Sequence, residues 1–500
     1  MVNIDGTIKI DKTSPVPLYI QLYERLREMV VTGILPADAR LPSVRRLADR
    51  LGVNQVTVVS AFRRLENEGY IYTRPGSGTY AADMLTSLMA GTEKLPPSLR
   101  DEIYQQEDLT FLNSGQINIG ESAVNFASAT PASELFPVDD FRIALDETLE
   151  RDKGNAFSYQ ESQGFPPLRE AIAGLLKTGG LACTPEEIHV ISGAQQGIDI
   201  ISKALLRPGD CIIAESPTYT GAVAVFKSRD ARIVDIPMET GGPDMDLLEY
   251  NIRKHKPVFF YTIPSFQNPT GYSYAEDNRR LLLELAEKYS FYIIEDDYVS
   301  DLDFESRNYP PLKALDRSGR VILVKSFSKI FMPGLRLGFM MVPSGVSGKL
   351  LVAKHATDIS TSGLIQRAFD LYIKKGYWNR HFDFMFKTYS DRYQKITSAL
   401  DRYSPADCSY VKPGGGLNIW YALPYGFPVN SLLTMAAAND ITFAPGRLFY
   451  SGSSAQAVNN IRLSFAAVES DRIEAGAEKL CMLIERLKSG GHGHRGLPIL

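Results

Sequence analysis

From about residue 118 to residue 488, short apolar runs alternate with longer stretches of helical periodicity. The runs fall at 188–191, 211–214, 232–236, 258–262, 291–295 and 321–324. Runs of this length, rich in β-branched and aromatic residues, are the pattern of strands buried on both faces. Such strands are joined by crossover helices, so the alternation predicts an α/β unit with a mostly parallel sheet covered by helices. In that architecture ligand groups gather at the carboxyl ends of the strands. Residues from about 380 to 488 read as a smaller α+β subdomain.

A chain of 500 residues is too long for a single core, and residues 15–82 follow a different pattern. Leu18, Leu22, Leu26 and Met29/Val30 recur at helical spacing, which predicts a first helix ending at Gly33. A second helix starts from Ser43 as N-cap and stops at Gly52. A third begins near Asn54 and puts Val58, Ala61 and Leu65 on one face. Two short helices joined by three or four residues are a helix-turn-helix. Residues 69–73, the Gly/Pro turn through Gly76, and Thr79 to Ala81 then read as a two-stranded wing. Between residues 40 and 74 there are seven arginines (40, 45, 46, 50, 63, 64 and 74) against three acids. Clustered arginine around a helix-turn-helix suits phosphate contact. The solvated face of a small helical bundle is the alternative.

The formal net charge of -4 excludes a chain that coats nucleic acid along its whole length, but not a local basic patch. Cys183, Cys211, Cys408 and Cys481 lie far apart, without C-x-x-C or nearby His, so reduced thiols are expected rather than a disulfide framework or a zinc site. No metal is expected. The chain starts without a basic and apolar leader and has no run of about 18 apolar residues, so no membrane contact and a cytoplasmic location are expected. Residues 83–117 read as a linker, and 489–500, with His492 and His494 among glycines, as a flexible tail.

The chemical groups sit where the fold would place them. Ser326, Ser328 and Lys329 follow the last apolar run, and Arg336 comes seven residues later. Asp296 and Tyr298 end a second run, Asn268 follows a third, and Gly193, Ala194 and Gln195 a fourth. Each type suits one part of pyridoxal phosphate. A desolvated lysine amine forms a Schiff base with the aldehyde. A carboxylate such as Asp296 keeps the pyridine nitrogen protonated. Arg336 grips phosphate bidentately beside the Ser326 and Ser328 hydroxyls, and the Gly193-Ala194-Gln195 turn adds N–H groups at a helix start. Tyr298 and Asn268 can hydrogen-bond the ring hydroxyl.

Two resemblances extend this reading. The segment from Pro17-Leu18-Tyr19 through Leu41-Pro42-Ser43-Val44-Arg45, Leu51-Gly52-Val53, Thr57-Val58 and Arg74-Pro75-Gly76-Ser77-Gly78-Thr79 resembles the GntR family of winged-helix regulators. That resemblance implies DNA contacts from Arg45, from Asn54, Gln55 and Thr57, and from Arg74 and Gly76 of the wing. Family members often carry Ser-Arg where this chain has Asn54-Gln55. Arginine reads guanine and Gln or Asn reads adenine, so the base preference at that step should differ.

The motifs around Asn268-Pro269-Thr270-Gly271, Glu295-Asp296-Asp297-Tyr298, Ser326 to Lys329 and Pro333 to Gly338 resemble fold-type I aminotransferases, above all the kynurenine and 2-aminoadipate branch. The resemblance implies that Lys329 is the cofactor lysine, Asp296 the ring-nitrogen partner, and Tyr219 the aromatic stacked on the ring. It further implies that Tyr159 reaches the phosphate of a neighbouring subunit and that Arg462 binds a ligand carboxylate.

The combination resembles the MocR subfamily. This implies a homodimer on a double-stranded operator, cofactor-dependent DNA binding, and sensing of an amino compound or of the cofactor itself. The linker permits a domain-swapped dimer without requiring one. GABA-sensing members carry an arginine two residues after the stacking tyrosine, where this chain has Gly221. Three readings stay open: a regulator, an active aminotransferase acting on an amino acid and a 2-oxo acid, or a chain whose first module is a protein-interaction or dimerisation element.

Overall fold

The computed structural model describes residues 17–31, 39–67, 70–74, 78–81, 123–307, 309–451 and 459–490, and the chain divides into two compact units, Met1–Ile117 and Asn118–Leu500. In the first unit, helices α1 (Leu18–Val31), α2 (Val44–Leu51) and α3 (Gln55–Asn67) precede strands β1 (Ile71–Arg74) and β2 (Gly78–Ala81). Leu22, Leu26 and Met29 of α1 pack with Leu47 and Ala48 of α2 and with Val58, Ala61, Phe62 and Leu65 of α3. The helical spacing of these residues is what turns one face of each helix inward. The Ser43 hydroxyl accepts the Arg46 N–H, and Gly52 closes α2 in the left-handed region at φ 60, a conformation that glycine adopts without a Cβ clash. The wing strands pair antiparallel, Ile71 opposite Ala81, and the Tyr72 and Tyr80 rings stack on it. Helix α1 ends at Val31; Gly33 and the wing-tip Gly76 lie outside the described residues, as does the 83–117 linker.

The second unit runs β3 (Val124–Asn125), α4 (Val138–Asp152), α5 (Pro166–Thr178), β4 (Ile188–Ile191), α6 (Ala194–Leu205), β5 (Cys211–Ser216), α7 (Thr220–Ser228), β6 (Arg232–Glu239) and β7 (Gly242–Pro243). It continues with α8 (Met245–His255), β8 (Phe259–Thr262), α9 (Glu276–Tyr289), β9 (Tyr292–Asp297), α10 (Leu312–Leu315), β10 (Val321–Ser326) and β11 (Gly338–Met341). The main sheet has the order β4-β11-β10-β9-β8-β5-β6-β7. The pairs β10–β9, β9–β8, β8–β5 and β5–β6 are parallel, as the apolar runs predict. Successive side chains of one strand enter different cores: Ile212 and Ala214 face one cluster, Ile213 the other, and Ile294 and Ile293 divide in the same way. Burial on both faces explains why these strands read as unbroken apolar runs. Strand β11 is an addition to the expected pattern, running antiparallel between β4 and β10.

The remaining elements are α11 (Ser344–Asp358), α12 (Gly363–Lys374), α13 (Tyr377–Tyr403), β12 (Ser409–Tyr410), β13 (Asn418–Ala422), α14 (Val429–Ala437), β14 (Ile441–Thr442), β15 (Ala444–Pro445), β16 (Asn460–Ser464) and α15 (Ile473–Gly490). Here β12-β13-β16-β15 form an antiparallel sheet, and β14 pairs with β3. Helix α15 reaches Gly490, so Ser489 and Gly490 are helical, and the rest of the expected tail lies outside the described residues. Among the described residues no helix is long and apolar enough to cross a membrane.

Candidate functional site

The carboxyl ends of β8, β9 and β10, the start of α6 and two strands of the smaller sheet, β13 and β16, converge on one group of side chains. Lys329 lies three residues beyond β10. Helix α13 holds its segment from behind: the Tyr389 hydroxyl donates to the Lys329 carbonyl at 3.0 Å, and a His381 ring nitrogen bonds the Ile330 carbonyl at 2.8 Å. Burial pushes the Lys329 amine down to about 8, with Arg462 and Arg336 acting in the same direction and Asp296 against them. A depressed amine is a neutral nucleophile for more of its time near neutral pH.

Asp296 ends β9 and is buried. Its Oδ2 accepts from the Tyr261 hydroxyl at 2.6 Å, while Oδ1 is buried without a partner. Burial, with the nearby charges of Asp297 and Glu215, pushes this carboxyl up to about 7. An orphaned buried carboxylate oxygen is costly unless a donor meets it. Asp297 bonds elsewhere, to Lys325 Nζ at 2.7 Å, and Lys325 also pairs with Asp301 at 2.9 Å. Lys325 holds Asp297 below the usual carboxylate range despite its burial.

Asn268 sits on a loop after β8 that two buried charged groups pin down. Glu215 accepts from Tyr274 Oη at 2.6 Å, Gln267 Nε2 at 2.9 Å and the Ile263 N–H at 3.2 Å. Arg279, fully buried, donates to the carbonyls of Pro264, Tyr274 and Pro310. Asn268 Oδ1 accepts from Arg462 Nη1 at 3.0 Å, and Arg462 Nη2 donates to the Ala127 carbonyl. The Arg462 Nε is buried without a partner, and burial pushes the guanidinium down to about 10. Tyr298 donates to the Phe266 carbonyl at 2.6 Å and accepts from Asn418 Nδ2 at 3.0 Å.

At the other end of the group, Gly193 precedes α6 with φ 88. At that φ a side chain is strained, and a Cβ there would stand 2.6 Å from Arg336 Nη2 and would have to push that guanidinium aside. Arg336 Nη2 donates to the Ser192 carbonyl at 3.1 Å, and the Ser326 hydroxyl accepts the Ser328 N–H at 3.1 Å. The N–H groups of Ala194 and Gln195 open the helix and have no intrahelical acceptor. Helix start, guanidinium and hydroxyls together make a cradle for a dianion. Tyr219 donates to Gln195 Oε1 at 3.1 Å, and Gln195 Nε2 reaches the Gly221 carbonyl at 2.8 Å.

Of the expected cofactor groups, the chain brings together Lys329, Asp296, Asn268, Tyr298, Tyr219, Gln195, Ser326, Ser328, Arg336 and Arg462 around these strand ends. Tyr159 is different, with 80% of its surface exposed. Tyr261, Asn418 and Lys325 escape sequence reasoning. Tyr261 is hidden in the apolar run of β8, and Asn418 opens a strand of the smaller sheet with no motif around it.

In the first unit, Arg45, Arg46 and Arg50 are exposed on α2, and Gln55 and Arg63 on α3. Asn54 Oδ1 accepts the Val56 N–H at 3.0 Å and so caps α3, leaving its amide nitrogen to face outward contacts. Thr57 is half-buried. Arg64 lies over the Tyr23 ring at 4.2 Å. The Arg40 guanidinium lies beside Gly78, where a Cβ would approach its Nε to 2.9 Å. The Arg74 side chain lies outside the described residues, like Gly76.

Residues 117–480 match the family model for aminotransferase class I and II, and residues 18–81 match that for bacterial regulatory proteins of the gntR family. The chain is 33% identical to aromatic-amino-acid aminotransferase 1 of Thermococcus litoralis, over 72% of this chain and 88% of that one. It is 30% identical to the probable rhizopine catabolism regulatory protein MocR of Rhizobium meliloti, over 96% and 97% of the two chains. Among solved structures, the alpha-aminoadipate aminotransferase of Thermus thermophilus, complexed with N-(5'-phosphopyridoxyl)-L-leucine, superposes with a TM-score of 0.68. It shares 31% identity and covers 76% of this chain and 97% of its own.

Proposed function

The chain belongs to the aminotransferase class I and II family, joined to a gntR-type module as in MocR, and from that premise we propose that it is a DNA-binding regulator whose affinity for its operator depends on bound pyridoxal phosphate. The observation that carries this reading is the presence, on one chain, of a helix-turn-helix with exposed arginines and of a group of side chains with an amine, an orphaned carboxylate oxygen and a dianion cradle.

The residues fit the cofactor part by part. Asp296 Oδ1, without a partner in the chain, is the acceptor for a protonated pyridine nitrogen. Ala194, Gln195, Ser326, Ser328 and Arg336 hold the phosphate, Tyr219 covers the ring, and Lys329 supplies the amine. Asn268 and the second lone pair of Tyr298 Oη address the ring hydroxyl. When bound, pyridoxal phosphate supplies an aldehyde that takes up amines and a ring that withdraws electrons. Arg462, with Asn268 steadying one arm, holds a carboxylate of the amino compound by its fork. We place the exposed Tyr159 at the phosphate of a second copy in a homodimer, and the regulator in the cytoplasm, where its operator lies.

A ligand changes DNA affinity only if it binds one arrangement of the protein better than another. Arg462 and Asn418 come from the smaller sheet, while Lys329 and Asp296 come from the main one. The two sheets already meet here through Asn418–Tyr298 and Arg462–Asn268, so an amino compound whose carboxylate engages Arg462 competes with these bonds, and that is the differential contact the reading requires.

Transamination is the second reading, favoured by the Lys329 amine at about 8 and by the kinship with an enzyme of that name. Two assays separate them. Duplexes selected from a random-sequence pool by the full-length protein test for operator binding. Formation of a 2-oxo acid from a panel of amino acids tests for turnover. Selection without turnover supports the regulator; turnover without any enriched duplex assigns the chain to catalysis.

A further inference from the structure

Helix α3 presents an apolar pair that the core does not use. Val58, Ala61 and Leu65 are fully buried, yet Val56 is 67% exposed and Val59 48% exposed. Three residues apart, Val56 and Val59 share one helix face, and Ser60 and Arg63 extend that face by one turn. Local propensity does not account for the two valines, because β-branched side chains lose rotamer freedom in a helix. Burial does not account for them either. Their surroundings are polar and mostly cationic: Gln55 and Arg63 on α3 and Arg45, Arg46 and Arg50 on α2 are exposed, with Asp49 and Glu66 as the exposed acids of these two helices.

An apolar protein partner would have to cover these guanidinium groups, at a large cost in hydration. A duplex does the opposite, since phosphates flank its major groove on both sides. Inside that groove one base carries an apolar group, the 5-methyl of thymine. We propose that Val56 and Val59 read thymine methyl groups in the major groove, beside an adenine contact from Gln55. The operator under the start of α3 is then an A·T step. This rests on the reading of the first unit as a DNA reader and specifies what it reads.

The test begins with duplexes enriched from a random-sequence pool by the full-length, cofactor-loaded protein. In the enriched duplex each thymine is replaced in turn by deoxyuridine, which keeps every hydrogen-bonding group and lacks only the methyl. The proposal expects a loss of about four-fold per contacted methyl, the transfer value of one such group, at one or two positions in each half-site. Val56→Ala and Val59→Ala should bind the thymine duplex more weakly and no longer distinguish it from the deoxyuridine duplex at the matching position. Alanine is the better helix former, so circular dichroism of both variants should match wild type.

If deoxyuridine is neutral at every position of an enriched duplex, the valines do not read methyl groups and the proposal fails while DNA reading stands. If no duplex is enriched at all, DNA reading itself fails. If Val56→Ala changes the oligomeric state while deoxyuridine stays neutral, the pair is a contact between copies, and the proposal is again overturned.

Discussion

Gly221 lies so close to the phenol end of Tyr219 that a Cβ on it would stand 2.4 Å from Cζ. The same Cβ would be 2.5 Å from Gln195 Oε1, the atom to which Tyr219 donates. The absence of a side chain at 221 is thus what lets Tyr219 and Gln195 share one place. Gly221→Ala must displace one of them, and overpacking of this kind costs about 1–3 kcal/mol. We expect about ten-fold weaker binding of pyridoxal phosphate, measured by absorbance titration of the cofactor-free protein, together with a melting temperature lowered by a few degrees without cofactor.

The Lys329 amine gives a pH dependence. Burial first, then Arg462 and Arg336, lower it to about 8, so below pH 8 the protonated form dominates and cannot attack an aldehyde. The rate of covalent cofactor capture should rise about ten-fold per pH unit up to pH 8 and level off above it. Arg462→Met removes a neighbouring positive charge, which raises the amine and moves the plateau to higher pH. Stopped-flow absorbance across the pH range checks both.

Lys325 and Asp297 pair at 2.7 Å with side chains 13% and 6% exposed. Removing one member of a buried pair leaves the other charged and unsolvated, at a cost of about 3–5 kcal/mol. Lys325→Met should therefore lower stability to urea by that order. The double variant Lys325→Met/Asp297→Asn should recover most of the loss. Equal losses in single and double variants would mean that the pair contributes by packing alone.

Two arginines of the first unit should behave differently. Arg45 and Arg64 are both exposed, but the Arg64 guanidinium lies 4.2 Å over the Tyr23 ring of α1. Arg45→Ala should weaken DNA binding and reduce the slope of log affinity against log salt by about one. Arg64→Ala should leave that slope unchanged and lower the melting temperature of the first unit. Salt-dependent anisotropy and calorimetry separate the two effects.

The strands of the main sheet were legible because burial on both faces leaves no polar alternation to confuse the pattern; Ile188–Ile191 and Val321–Ser326 are examples. The side chains that gather at the strand ends stand out in sequence because they lie in short segments directly after apolar runs, as Asp296 and Lys329 do. Strand β11 was not legible, since Gly338–Met341 follows directly on the Arg336 motif and draws the eye to chemistry. Tyr261 and Asn418 were not legible either. Each bonds a residue far away in sequence, Asp296 and Tyr298, and the contact exists only once β8 meets β9 and the smaller sheet meets the main one. Asn54 has a cap role that spacing alone allows but does not distinguish from base contact.

A cofactor site and a DNA reader on one chain make linkage measurable: if the cofactor changes DNA affinity, DNA changes cofactor affinity by the same factor. The most direct measurement is fluorescence anisotropy of an enriched duplex against wild type and Lys329→Ala, each with and without pyridoxal phosphate. Cofactor-dependent DNA binding predicts a shift in wild-type affinity of about five-fold or more on loading, and none in Lys329→Ala. Equal affinity of loaded and cofactor-free wild type, with loading verified by absorbance, would contradict it.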